Sequence, residues 1–399
     1  MANIIDYVRA CDESFAASAP SRVDSLVFSA IAYASIPEMV PAACSSEGVA
    51  LSELRASGDP ALLAHTANDE VATALLLSAC TSSSRYSGVR MCWGASESSG
   101  TAEKQFSALS FVLPDGAGTF VAFRGTDDSL VGWKENLNMV FMDAVPSQES
   151  ARAYLESVAS QTEGPLWVGG HSKGGNLAMY ATATCAPVVR DRVVRCFAHD
   201  APGLLDKVLA TPGGVKAELL FDKTMPPESF IGLLFDAPKN ERTIVRSEKK
   251  GLRQHDPFSW QVDGNDFVPA RALSYDAYRN GKRMGAWLSS MPTADRERFI
   301  EVLYQLMTSS GHDSMSDLLN GLVSGSFSDL VQHVGALPPD DKAFFLSCIA
   351  ELAATMLFGP APTNPQTPAE KVDVVMDKVE DAAARLDDGL SKLDKYAGL

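Results

Sequence analysis

The 399-residue sequence has no CxxC pair, no long apolar run and a deficit of basic charge. Its seven cysteines (Cys11, Cys44, Cys80, Cys92, Cys185, Cys196 and Cys348) are odd in number and far apart. That spacing excludes a disulfide framework and offers neither metal-ligand nor redox geometry. No stretch approaches the roughly 18 apolar residues of a membrane span. The opening MANIIDYVRACDESF carries acids where a signal peptide needs a basic start and an apolar core, so a cytoplasmic protein is expected. Lys and Arg number 34 against 50 Asp and Glu, a formal net charge of −16. Such a surface repels phosphate backbones and anionic lipid, and no basic cluster reverses the sign, which argues against a nucleic-acid partner. What is present is globular: 46% hydrophobic residues, enough to bury a large core with chain to spare.

Periodicity divides the chain. Val23, Val27, Ala30 and Ile31, then Ala72, Leu75, Leu76 and Ala79, recur at helical intervals, so residues 1–80 form a helical lead-in. Between 86 and 124 the runs FSALSFVL and TFVAF are separated by turn signals at Ser98-Ser99-Gly100 and Pro114-Asp115-Gly116, predicting a hairpin followed by an inner strand. Beyond 130 helix and strand alternate: QESARAYLESVAS, PLWVGG, NLAMYATATC, VVRCFAH. This texture predicts an α/β fold, a mostly parallel sheet with helices on its faces, over residues 1–284. From 285 to 358 the stretches RERFIEVLYQLM and DDKAFFLSCIAELAATMLF predict a helical appendage. Four prolines in GPAPTNPQTP (359–368) mark a linker. In 369–399, Val372, Val379, Leu386 and Leu393 are spaced by seven, predicting an amphipathic helix that packs on its own chain, on a second copy or on a partner helix.

The main chemical signal is Gly170-His171-Ser172-Lys173-Gly174-Gly175. It follows the apolar run LWVG and opens NLAMYATATC, the strand–turn–helix context of a nucleophile elbow. A serine on so sharp a turn needs neighbours without a Cβ, so that strand and helix can approach. The alternative is a glycine-rich helix start that packs or binds an anion through free N–H groups. A nucleophilic serine also needs oxyanion donors. The main-chain N–H of Lys173, next after the serine, is the first candidate. The second is Thr126 in FRGTDD, where the preceding strand ends, through its N–H and hydroxyl.

Together FRGT, GWKEN and GHSKGGNLAMYA resemble the lipase class 3 branch of the α/β-hydrolases. More closely they resemble a bacterial lipase-like family of poorly defined function. The likeness extends to IIDYV, VDSLVFSAIAY, QFSALSF and RQHDPFSWQV, so it covers most of residues 1–300. It implies an α/β-hydrolase-like fold with Ser172 as nucleophile and Thr126 in the oxyanion hole. Lys173 stands where those lipases usually carry Leu, which weakens the expectation of a lipid substrate more than that of hydrolase chemistry.

In α/β-hydrolases the triad runs Ser, acid, His along the chain. Of six histidines, His65, His171, His312 and His333 read as structural or surface residues, and His199 as a pocket wall. His255, in the polar loop GLRQHDPF after TIVRSE, is the expected base. The acid is open. Asp200 ends RCFAHD and precedes a turn at a strand's C-terminal edge. Glu228 in MPPESFIG lies near the class 3 acid position, where Ser229 occupies the place of the Asp. Asp256 is too close to His255 in the chain, and Asp266 follows it and so breaks the order. Trp133 and residues 138–145 line an acyl pocket, form a lid, or belong to a helix packed on the sheet. Lys134 and Glu135 read as a surface pair. The expected activity is serine ester hydrolysis of a small-molecule ester or lipid, with no metal or organic cofactor implied. The alternative is a catalytically idle α/β-hydrolase fold used for binding or regulation.

Overall fold

The apolar runs flanking the elbow motif form the middle of an eight-stranded sheet. In chain order its strands are β1 (Val49–Ala50), β2 (Arg90–Ser99), β3 (Lys104–Val112), β4 (Thr119–Phe123), β5 (Leu166–His171), β6 (Val193–His199), β7 (Phe221–Met225) and β8 (Thr243–Ile244). Their spatial order equals their chain order. Pairings from β1 to β4 are antiparallel. Those from β4 to β8 are parallel. A separate two-stranded ribbon pairs β9 (Val262–Asp263) with β10 (Asp266–Phe267). The computed structural model describes residues 2–35, 40, 48–54, 69–127, 129–235, 242–309 and 333–359. The expected helix over 369–399, nearly all of the proline-rich linker, His65 and His312 lie outside these described residues.

Side chains alternate across the central strands, and two cores result. Phe120 and Ala122 of β4, Trp167 of β5 and Phe197 of β6 face one core. Val121 and Phe123, Leu166 and Val168, Cys196 and Ala198 face the other. Because both faces are covered, β4 and β5 are apolar over nearly their whole length, as is the Cys196–Ala198 stretch of β6. The first core is closed by α1 (Ile4–Ala10), α2 (Arg22–Ile31) and α3 (Glu70–Ser82). Reciprocal capping boxes start α1 at Asn3 with Asp6, and α2 at Ser21 with Asp24. The second core is closed by α5 (Pro146–Gln161) and α6 (Lys173–Thr184). Between β4 and α5 lies α4 (Leu130–Asn138), capped by Ser129, whose hydroxyl accepts from Gly132 N–H. A further helix, α7 (Pro212–Glu218), leads into β7.

The chain divides into two compact units, the first running through Tyr278 and the second beginning at Arg279. α8 (Tyr275–Ser290) spans that boundary, followed by α9 (Thr293–Ser309) and α10 (Pro339–Phe358). Within the second unit Phe299 stacks on Phe345 at 5.4 Å and meets Trp287 edge-on at 5.5 Å, while Arg298 pairs with Asp341. Among the described residues no helix is long and apolar enough to cross a membrane.

Candidate active site

β5 runs into α6 through Ser172, whose backbone sits at φ 58° and ψ −131°. A non-glycine residue there carries strain of about 1–3 kcal/mol, which the surroundings must hold in place. They do so by crowding. A Cβ on Gly170 would lie 2.2 Å from the Gly174 carbonyl carbon, and one on Gly174 would lie 2.1 Å from the Phe123 carbonyl oxygen. The elbow is thus wedged between its own helix and the end of β4. Ser172 N–H donates to the His199 carbonyl at 2.9 Å, tying the turn to β6. The Ser172 side chain makes no capping bond to α6, so its hydroxyl is not consumed by the helix start.

β6 delivers Asp200, whose φ of 43° turns the chain as it leaves the sheet. Its carboxylate is buried, and Oδ2 accepts from His255 Nδ1 at 2.7 Å. An ionised carboxylate only accepts, so Nδ1 carries the proton and the distal Nε2 of His255 is left as a base. Oδ1 accepts from the Ser229 hydroxyl and, at 3.2 Å, from Gly232 N–H. Ser229 therefore holds the carboxylate of Asp200. The other candidate acids are engaged elsewhere. Glu228 accepts from Gly251 N–H. Asp256 pairs with Lys249 and accepts from Phe258 N–H, and Asp266 pairs with Arg22.

His255 ends a one-turn helix, Gly251–His255, and its ring lies 4.5 Å centroid to centroid from that of His171, the residue preceding Ser172. His171 Nε2 sits 2.8 Å from the His255 carbonyl oxygen. A carbonyl cannot donate, so Nε2 holds the His171 proton, and Nδ1 faces the Tyr33 hydroxyl at 3.5 Å. Burial, with the neighbouring His255 and His199 adding to it, drives the His171 pKa well below the ordinary histidine value and keeps the ring neutral. His199 is no pocket wall. It is fully buried, with Nδ1 at 2.6 Å from Thr224 Oγ1 and Nε2 at 2.9 Å from Ser25 Oγ. Burial, then the charge of Arg22, pushes its pKa down to about 3.

The loop leaving β4 lies against the elbow. A Cβ on Gly125 would stand 2.0 Å from the Tyr33 hydroxyl and 2.7 Å from the His171 carbonyl, so only glycine fits. Next to it Thr126 is buried, and its Oγ1 accepts from Asn136 Nδ2 at 2.5 Å. That leaves the Thr126 hydroxyl proton free to donate elsewhere. Lys173, the residue after Ser172, is fully buried, as are Lys134 and Glu135. The surface pair expected from sequence is therefore not found. Lys173 Nζ meets Glu135 Oε2 at 2.5 Å and donates to the Gln105 carbonyl at 2.8 Å. Burial lowers the Lys173 pKa, with the charge of Glu135 opposing it. Residues 139–145 form no continuation of α4; Met139 and Met142 line a cleft with Leu204, Leu205, Val208 and Phe235, beside Asn176 in the second turn of α6.

A serine in a strained turn between a central parallel strand and a helix, in a sheet covered on both faces, defines an α/β-hydrolase-like protein. More narrowly, the chain belongs to the Mbeg1-like family, whose sequence profile matches residues 80–305, more than half of its length. No curated protein matches it.

Proposed function

We propose that the protein is a lipase-like serine hydrolase that cleaves carboxylic esters through an acyl-enzyme, related in its chemistry to lipase class 3. Ser172 is the nucleophile, His255 the general base, and Asp200 the carboxylate that fixes the imidazole. The observation that carries this reading is the 2.7 Å contact between His255 Nδ1 and Asp200 Oδ2, made by a ring whose centroid lies 4.5 Å from that of His171, the residue next to Ser172. In the first step His255 Nε2 takes the Ser172 proton as Oγ attacks the acyl carbon. Asp200 stabilises the imidazolium that forms. The negative oxygen is held by the N–H groups of Lys173 and Thr126 and by the Thr126 hydroxyl, whose oxygen already has its partner in Asn136. The imidazolium then protonates the departing alkoxide, and the same base activates a water that hydrolyses the ester on Ser172.

The test is covalent labelling with a fluorophosphonate, read by intact mass and peptide mapping, alongside turnover of p-nitrophenyl esters of graded acyl length. One label on Ser172, with labelling and turnover abolished in Ser172→Ala, is expected. A folded wild-type protein that neither labels nor turns over any ester refutes the enzyme and leaves a binding role for the same fold.

A further inference from the structure

Two adjacent residues of one short helix reach the two groups to which this mechanism assigns the oxyanion. Glu135 of α4 meets the side chain of Lys173, whose main-chain N–H is one donor, and Asn136 meets Thr126, which supplies the other. The Glu135 carboxylate does more than neutralise a lysine. Oε2 also accepts from Gln105 N–H at 2.8 Å, and Oε1 from Ser147 N–H at 2.7 Å. One buried carboxylate thus joins the start of β3, the start of α5 and the first residue of α6. The side chains of Lys173 and Glu135 are 1% and 0% exposed. Ion pairs taken out of water to this degree return little net stability, since desolvation offsets the attraction. A lysine at the first position of a helix also opposes the positive end of the helix dipole. Local energetics therefore do not favour the pair; apolar side chains at both 135 and 173 would fill the same space without either cost.

We propose that the buried Glu135–Lys173 pair is a positioning device for the oxyanion hole, locking the main chain of Lys173 to α4 so that its N–H and Thr126 keep a fixed separation. Neither side chain touches the reacting atoms; both act through the donors they hold. The inference rests on the assignment of Ser172 as nucleophile, and its test separates the two. Lys173→Met with Glu135→Gln removes both charges and retains one carbonyl oxygen for the neighbouring N–H groups. With p-nitrophenyl butyrate, kcat falls by about 10–100-fold while KM stays within about twofold, because only transition-state contacts are disturbed. Affinity for a butyl trifluoromethyl ketone, which forms the tetrahedral adduct on the serine, falls by the same factor as kcat. Glu135→Asp, which keeps the charge balance and withdraws the carboxylate by one methylene, gives a smaller loss of kcat, again with KM held, and serves alone where the double variant does not fold. Variants that fold and turn over at the wild-type kcat, or that lose kcat and ketone affinity by unrelated factors, overturn the positioning role even though the wild-type enzyme is active. A wild-type protein that does not label overturns the nucleophile assignment, and the positioning role with it.

Discussion

Two ion pairs among the described residues are buried to the same degree, and they are built differently. Arg85 and Asp24, in the helical layer over the first core, are 1% and 0% exposed, as are Lys173 and Glu135 at the elbow. Around Asp24 the donors converge. Its carboxylate receives Arg85 through both Nε and Nη2, the hydroxyls of Tyr7 and Tyr86, and the N–H of Ser21. The Phe15 ring lies 3.9 Å beneath the guanidinium. Although burial works against its charge, the bond and charge of Asp24 hold the Arg85 pKa above the ordinary arginine value. At the elbow the balance reverses, and burial outweighs Glu135 in setting the Lys173 pKa. The first pair is saturated and carried by a cation that cannot lose its proton; the second is sparse and carried by one that can. Saturation suits a clamp between helices, whereas a single carboxylate shared among three elements suits the setting of distances.

This contrast can be broken most severely at Asp24. Asp24→Asn leaves a buried guanidinium with no counter-charge, and a loss of about 3–5 kcal/mol in urea unfolding is expected, with labelling of the folded protein unchanged. Glu135→Gln makes the same kind of cut at the elbow and costs less, because Lys173 escapes by releasing its proton. The sign of the pH response distinguishes the two. The native Lys173 already sits below the roughly 10.4 of an unfolded lysine, so as pH rises toward that value the unfolded chain holds a proton that the native state lacks. Stability of Glu135→Gln therefore climbs with pH relative to wild type, while Asp24→Asn shows no such climb; parallel profiles for the two variants would erase the distinction. Tyr86→Phe removes one of the donors on Asp24 and leaves the others, costing about 1–2 kcal/mol by the same unfolding measurement.

The gentlest test uses the neutral histidines. With folded pKa values depressed by burial, His199 and His171 contribute fully above about pH 6.5. As pH falls below that, toward about 3 for His199, the unfolded chain binds protons that the native state refuses, and stability drops by at most ~1.4 kcal/mol per pH unit per ring. His199→Gln keeps hydrogen-bonding capacity toward Ser25 and Thr224 and flattens the decline in melting temperature between pH 7 and 5 by one proton's worth. An unchanged slope would mean that the buried ring does not drive the acid response.

Much of the central architecture was legible because its signals are local. The apolar runs of β4 to β6 and the turn glycines lie in contiguous windows of sequence. What was illegible depends on which way a helix faces. α4 carries Lys134, Glu135 and Asn136 in succession, and nothing in that triplet says that the first two are buried and the third caps a threonine hydroxyl. The Asp24–Arg85 clamp joins residues 61 apart in the chain, beyond any periodicity. That Ser229 donates to Asp200, 29 residues earlier, required the fold. Strands of two residues, β1 and β8, are too short to leave a pattern.

The identity of spatial and chain order in the sheet bears on how the molecule is made. During synthesis from the N-terminus each new strand finds its neighbour already laid down, at the edge where growth last stopped. Ser172 arrives with the end of β5 and Asp200 with the end of β6, but His255 follows β8, after the last strand has been added. A nascent chain therefore carries its strained serine, and the carboxylate, before the imidazole of His255 can reach them, and the proposed chemistry begins only when the sheet is finished.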